Sequence, residues 1–243
     1  MDSEPELAGQ TVVVIGGSAG IGLETGRRAR AEGAKVILVG RNPDRLKQAA
    51  ADIGAERTAA FDATDTAALQ RFFQDLPAPI DHVMLTGGGP TYAPLLEMDS
   101  AQVETALGDH VALDLQVARN AASKMRPGGT LVFMGGTGGR RVDQRIGIVS
   151  AATAALPPFV ATLALELAPI RVNLIAAGFV DTPLSARLLG DQIEARRDQL
   201  RSKLPIGRVV TPADVAALAV HIMINTALTG ATYDIDGGQQ FVS

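Results

Sequence analysis

A chain of 243 residues with 47% hydrophobic and 20% charged residues has enough apolar material for a sizeable core and too little charge for intrinsic disorder. A net charge of −4 argues against a nucleic-acid surface, and no apolar run reaches the roughly 20 residues that span a bilayer. Cysteine is absent and the three histidines (His82, His110, His221) are scattered, so disulfides are excluded, no metal is expected, and the acidic N-terminus leaves a cytoplasmic protein without membrane partners as the expectation.

Short apolar runs alternate with longer helical segments. Thr11–Ile15 is a β-branched run ending in glycines, and Ile21–Glu32 has helix-forming composition. Lys35–Val39 is the next buried strand, and Arg45–Ile53 is alanine-rich and helical. Ala59–Phe61 closes a short strand before Asp65–Asp75, where apolar spacing is again helical. Asp81–Leu85, Thr130–Met134 and Val172–Ala176 read as buried strands, separated by long helices over Ala101–Met125 and Ser150–Leu167. Pro212–Ile224 is a last helix and Ala231–Ile235 a last strand. This alternation predicts an α/β fold, a doubly wound Rossmann-like parallel sheet with helices on both faces. Runs such as Val12-Val13-Val14, apolar at every position, suit strands buried on both sides. No linker, repeat or charge block divides the chain, so residues 1–243 read as one domain.

Between the first strand and its helix stands Ile15-Gly16-Gly17-Ser18-Ala19-Gly20-Ile21-Gly22, with Gly16, Gly20 and Gly22 in a G-x-x-x-G-x-G spacing. Glycines at such a turn let the backbone approach a pyrophosphate seated on the helix N-terminus, and Ser18 offers it a hydroxyl. A glycine-rich turn without ligand is the plainer alternative. A dinucleotide with a free ribose 2′-hydroxyl usually meets an acidic residue after the second strand, whereas a 2′-phosphate meets arginine. Here the strand ends in Gly40-Arg41-Asn42, with glycine at the acidic position, so NADP(H) is expected over NAD(H).

Further motifs follow in order: Phe61-Asp62-Ala63-Thr64-Asp65, Thr86-Gly87-Gly88-Gly89 after the fourth strand, and Ile170-Arg171-Val172-Asn173 before Ala177-Gly178. Asp181-Thr182-Pro183 comes next, and Ile235-Asp236-Gly237-Gly238 stands near the end. With the glycine turn, they resemble the short-chain dehydrogenase/reductase family over nearly the whole chain, with Ala177 where the family has proline. The resemblance implies a seven-stranded sheet, a substrate-facing helical insert at about residues 184–203, a small-molecule substrate, and a homotetramer or homodimer built on the two long helices. It also implies that Asp62 and Ala63 flank the adenine, Gly87 and Gly88 line the ribose and pyrophosphate side, and Thr182 reaches the nicotinamide carboxamide.

Family members reduce a carbonyl with a tyrosine acid, a lysine that lowers its pKa and a serine that positions substrate. Bringing a phenol from about 10 to about 7 takes roughly 4 kcal/mol of phenolate stabilisation. Matched to the family pattern, Gly136 stands at the serine, Val149 at the tyrosine and Thr153 at the lysine. The tyrosines of the chain are Tyr92 and Tyr233, and no lysine lies between Lys124 and Lys203. His110 stands where the family carries a relay asparagine. Pro157-Pro158 falls within the helix that would bear the tyrosine, and about 3 kcal/mol per interior proline predicts a kink or a restart at Pro157.

Substitutes are few. Ser150 neighbours the vacated tyrosine position but is a poor acid. His110 can titrate near neutrality or serve only helix packing. Arg140 and Arg141, after the fifth strand, could bind an anionic substrate, stabilise an oxyanion or stand solvated, with Asp143 near enough to pair. Tyr92 sits in a loop after Gly89-Pro90. Two functions stay open: an NADP(H)-dependent oxidoreductase with a non-standard proton donor, and an inactive dinucleotide-binding pseudoenzyme acting as sensor or scaffold.

Overall fold

The computed structural model describes residues 5–87, 89–140 and 144–242, without the Asp109 side chain; Gly88, Arg141 and Asp143, named above, lie outside the described residues. In chain order, β1 (Thr11–Ile15), α1 (Gly20–Ala31), β2 (Lys35–Gly40), α2 (Pro43–Ile53), β3 (Arg57–Ala60) and α3 (Thr66–Asp75) form the first half. The second half runs β4 (Ile80–Leu85), α4 (Ser100–Leu107), α5 (Leu113–Ala122), β5 (Met125–Gly136), α6 (Gly147–Glu166) and β6 (Arg171–Ala177). It ends with α7 (Pro183–Leu189), α8 (Ile193–Lys203), α9 (Pro212–Ile224) and β7 (Thr232–Ile235).

All seven strands are parallel, in the order β3-β2-β1-β4-β5-β6-β7. Successive side chains of a strand point to opposite faces, and β1 feeds both cores accordingly. Val13 and Ile15 join Leu69, Phe72, Val117 and Val160 on the α3–α5–α6 side. Val12 and Val14 join Ala29, Leu46, Val215 and Ile222 on the α1–α2–α9 side. The chain winds outward from β1 to β3 and then returns to β4 on the other flank. Order therefore reverses between β1 and β4, and a crevice opens beyond their carboxyl ends.

Five expectations are corrected. The single helix over Ala101–Met125 is α4 and α5 joined through a π-helical turn, Gly108–Ala112. Met125 belongs to β5, where it pairs with Ile80. That strand also begins well before Thr130, because Gly129 lets the backbone pass against the Asp81 carbonyl. In α6 the helix runs unbroken from Gly147 to Glu166 with Pro157 and Pro158 inside. Leu156 before the prolines and Val160 and Leu163 after them are buried, and about 1.5–3 kcal/mol from each such side chain offsets the lost helix bonds. By length and composition α6 is also apolar enough to cross a bilayer, against the expectation that no apolar run reaches that length. Here it is a core helix against β5 and β6.

In the central strand β4, His82 is 1% exposed. Its Nε2 lies 2.8 Å from Gln10 Oε1, which also accepts from Arg126 Nη2, so Nε2 carries the proton. Nδ1 has no partner among the described residues. Burial first, then the Arg171 and Arg126 charges, push the imidazole down to about 3. The unfolded chain takes up this proton below about 6.5 while the folded chain refuses it until about 3. Stability from this group is thus complete above pH 6.5 and falls by about 1.4 kcal/mol per unit below it. His82→Gln should flatten the pH dependence of urea-unfolding free energy between pH 6 and pH 4 by about one proton; an unchanged slope would refute this assignment.

Candidate active site

The glycine turn is closely fitted. A Cβ on Gly22 would collide with the Gly16 carbonyl oxygen and lie 2.8 Å from Thr86 Oγ1, and one on Gly16 would strike the same hydroxyl. Gly16 and Gly20 have φ of +91° and +54°, which side chains disfavour. Thr86, just past β4, braces this packing. Its N–H donates to the Ile15 carbonyl at 2.8 Å, and its hydroxyl to the Ile15 and Gly16 carbonyls at 3.1 and 3.3 Å. Sequence reasoning passed over Thr86 for the glycines after it; a hydroxyl directly after a strand at the crevice was the available signal. Ala19 begins α1 in extended backbone, with no side-chain cap and no acid in the first turn. The leading N–H groups of α1 thus stand without a capping carboxylate, as an anion site requires.

Thr182 reaches this turn from the far side, since a Cβ on Gly20 would sit 3.5 Å from Thr182 Cβ and Cγ2. Its hydroxyl also caps α7, accepting from Ser185 N at 3.1 Å. At the outer edge, a Cβ on Gly40 would lie 3.2 Å from Ser18 Oγ, so a longer side chain there would press on Ser18. Arg41 Nη1 is 3.9 Å from Asp62 Oδ2, with both side chains largely exposed. Asp62 is held below the usual carboxylate range mainly by the Thr64 N–H at 3.0 Å and also by the Thr64 hydroxyl and Arg41. Asn42 caps α2 by accepting from Arg45 N at 2.9 Å. Ala63 and Ile21 pack against opposite cores, and Gly87 lies beside Leu85.

Of the residues that the resemblance matches to the family's serine, tyrosine and lysine, namely Gly136, Val149 and Thr153, the first and last meet. A Cβ on Gly136 would lie 3.5 Å from Thr153 Cγ2. Thr153 Oγ1 donates to the Val149 carbonyl at 2.8 Å and Ser150 Oγ to the Gly138 carbonyl at 2.9 Å. Both hydroxyls are committed to backbone, and Val149 offers no proton. Tyr233 pairs with Ile175 in β7 and packs on the α9 side.

A family model described as enoyl-(acyl carrier protein) reductase matches residues 16–240. The chain belongs to the short-chain dehydrogenase/reductase family. Short-chain dehydrogenase/reductase ATR9 of Stachybotrys chlorohalonatus is 27% identical, across 96% of this chain and 98% of its own length. The NADP-dependent (R)-specific alcohol dehydrogenase of Lentilactobacillus kefiri is 26% identical, across 96% and 97%. The crystal structure of BdcA in complex with NADPH superposes with a TM-score of 0.85 at 26% identity, covering 96% of this chain and 95% of that one.

The remaining candidates of this short-chain dehydrogenase/reductase are placed as follows. Arg140 is ion-paired with Asp234 and donates to Gln240 Oε1 at 2.8 Å, which ties the turn after β5 to the C-terminal segment. That pairing holds the Asp234 carboxyl below its ordinary range, so the Arg140 charge is already matched. His110 lies half-buried within the π turn, a helix irregularity common at functional sites. One turn on, Asp114 is 4% exposed, and its Oδ2 has no partner among the described residues. Burial pushes this carboxyl well above the usual range. Sequence reading missed it, although an acid between Leu113 and Leu115 on an apolar helix was a visible anomaly.

Proposed function

We propose that this short-chain dehydrogenase/reductase binds NADP(H) and transfers a hydride to or from a small carbonyl or alcohol substrate, with the proton supplied by a group other than tyrosine. The observation that carries this reading is the close fit of Gly16 and Gly22 with Thr86, which a Cβ would fill, and the approach of Thr182 to Gly20. The turn, Ser18 and the first N–H groups of α1 would hold the pyrophosphate, Arg41 the 2′-phosphate, Asp62 and Ala63 the adenine, Gly87 the ribose side and Thr182 the carboxamide. NADPH bound there supplies the hydride. The NADPH complex of BdcA and the NADP-dependent alcohol dehydrogenase support the choice of cofactor. So does Gly40, which puts no acidic side chain at the end of β2. The exposed Arg41–Asp62 pair is worth about 0–1 kcal/mol, so the guanidinium can turn to a phosphate at little cost. A cytoplasmic homodimer or homotetramer built on the long helices belongs to the same proposal; Leu165 of α6, 82% exposed, favours such contact.

Arg41→Ala should weaken NADPH binding about 10–100-fold in a fluorescence titration and change NADH binding less than about twofold. Equal losses for both nucleotides would remove Arg41 from the 2′-phosphate. The committed Ser150 and Thr153 hydroxyls favour a second reading, a nucleotide-binding protein without turnover. NADPH oxidation above background with reactive diketones or quinones supports the enzyme, and its absence across the panel supports the second reading.

A further inference from the structure

Beyond β6 the backbone is pinned residue by residue. Gly178 is pressed against Asp236 and Gln239, and the Phe179 N–H donates to Gln239 Oε1 at 2.7 Å. Val180 pairs with Val210 in a short parallel bridge, and the Asp181 N–H donates to the Val210 carbonyl at 2.9 Å. This strap delivers Thr182, whose side chain stands over Gly20 of the glycine turn. The insert that follows has little apolar anchorage. No residue of α7 is fully buried, and α8 buries Leu200, with Leu204 just past its end. An element so lightly packed depends on its specific polar contacts to keep its place.

Arg197 of α8 supplies such a contact. Its Nη2 donates to Asp181 Oδ1 at 2.6 Å, a residue 16 positions earlier, while Nη1 pairs with Glu194 one turn before it. The Arg197 and Asp181 side chains are 24% and 29% exposed, so the pair is better shielded than a solvated one. The neighbouring Arg196 lies against the Phe179 ring, with Cζ 5.9 Å from its centroid. Consecutive residues of α8 therefore dock on the same strap, whereas Arg201 pairs inside the helix with Asp198. Asp181 directly precedes Thr182, so where Arg197 holds its carboxylate bears on how Thr182 meets the turn. One connected path runs from α8 through Asp181 and Thr182 to the nucleotide cradle.

We infer that Arg197 is a positioning residue for the cofactor. By holding Asp181 it keeps Thr182 against the glycine turn and orders the nicotinamide half of NADP(H), while the adenine half binds without its help. This rests on the NADP(H) reading above. Adenosine 2′,5′-bisphosphate, which carries the adenine and the 2′-phosphate but no nicotinamide, is the matched probe for NADPH. In calorimetric titrations, Arg197→Gln should weaken NADPH about 5-fold or more and change the bisphosphate less than about twofold. Asp181→Asn should do the same, and the double variant should lose no more than either single one, because all three remove one contact. Arg197→Lys, which keeps the charge without the fork, should fall between native and glutamine. Arg201→Gln is the control and should leave both nucleotides unaffected. Each variant should melt within about 2 °C of the native protein. Equal weakening of NADPH and the bisphosphate, undiminished NADPH binding, additive losses in the double variant, or a larger fall in melting temperature would overturn the inference and leave the cofactor reading standing. A native protein that binds neither nucleotide would remove the cofactor reading and this inference with it.

Discussion

Gly22→Ala is expected to abolish measurable NADPH binding, a loss of about 100-fold or more. The added methyl would meet the Gly16 carbonyl oxygen and Thr86 Oγ1 together. Neither can withdraw freely. The Gly16 carbonyl belongs to the turn itself, and the Thr86 hydroxyl is held by the Ile15 and Gly16 carbonyls. The turn must open or α1 must shift, and either change moves the helix N-terminus away from the phosphates. Fluorescence titration with NADPH, alongside circular dichroism to establish that the variant is folded, checks this. A folded variant that binds NADPH as tightly as the native protein would show that the cradle is not the nucleotide site. Gly108→Ala is the control, since nothing lies within 4 Å of its Cβ.

Arg171→Leu carries the largest expected cost to stability, on the order of 3–5 kcal/mol, or roughly 10 °C in melting temperature. The Arg171 side chain is buried in β6 and donates to carbonyls rather than to a carboxylate. Its Nη1 reaches Ile222, Asn225 and Leu228 at 2.8, 3.1 and 3.0 Å, and Nη2 reaches Met223 at 2.7 Å. Nε donates to Gly128 at 3.3 Å. The guanidinium thus closes the C-terminal end of α9, whose last carbonyls have no partner within the helix. Leucine fills much of the volume and strands these oxygens. Arg171→Lys should fall between the two, because one ammonium cannot span the same fan of acceptors. Differential scanning calorimetry decides the matter; a leucine variant melting within about 2 °C of the native protein would show that water or rearrangement satisfies the carbonyls.

What could be read from the sequence is what neighbouring residues settle among themselves. The glycine turn declares itself because its strand, glycines and helix are contiguous, and the last helix has the expected bounds, Pro212–Ile224. What escaped reading depends on partners distant in sequence. The role of Thr86 comes from Ile15 and Gly16, that of Arg171 from the end of α9, and the place of Met125 from Ile80. The prolines of α6 break a local rule, and burial of Leu156 and Val160 against the sheet overrides it. Of the site, the cradle glycines were legible as a motif, while the bracing of their turn by Thr86 was not.

The most direct test is an equilibrium titration of the native protein with NADPH, followed by nucleotide fluorescence. The account predicts a saturable rise that reaches one nucleotide per chain. Fluorescence that grows only linearly with NADPH up to about 1 mM would mean that the glycine turn holds no dinucleotide, and would contradict it.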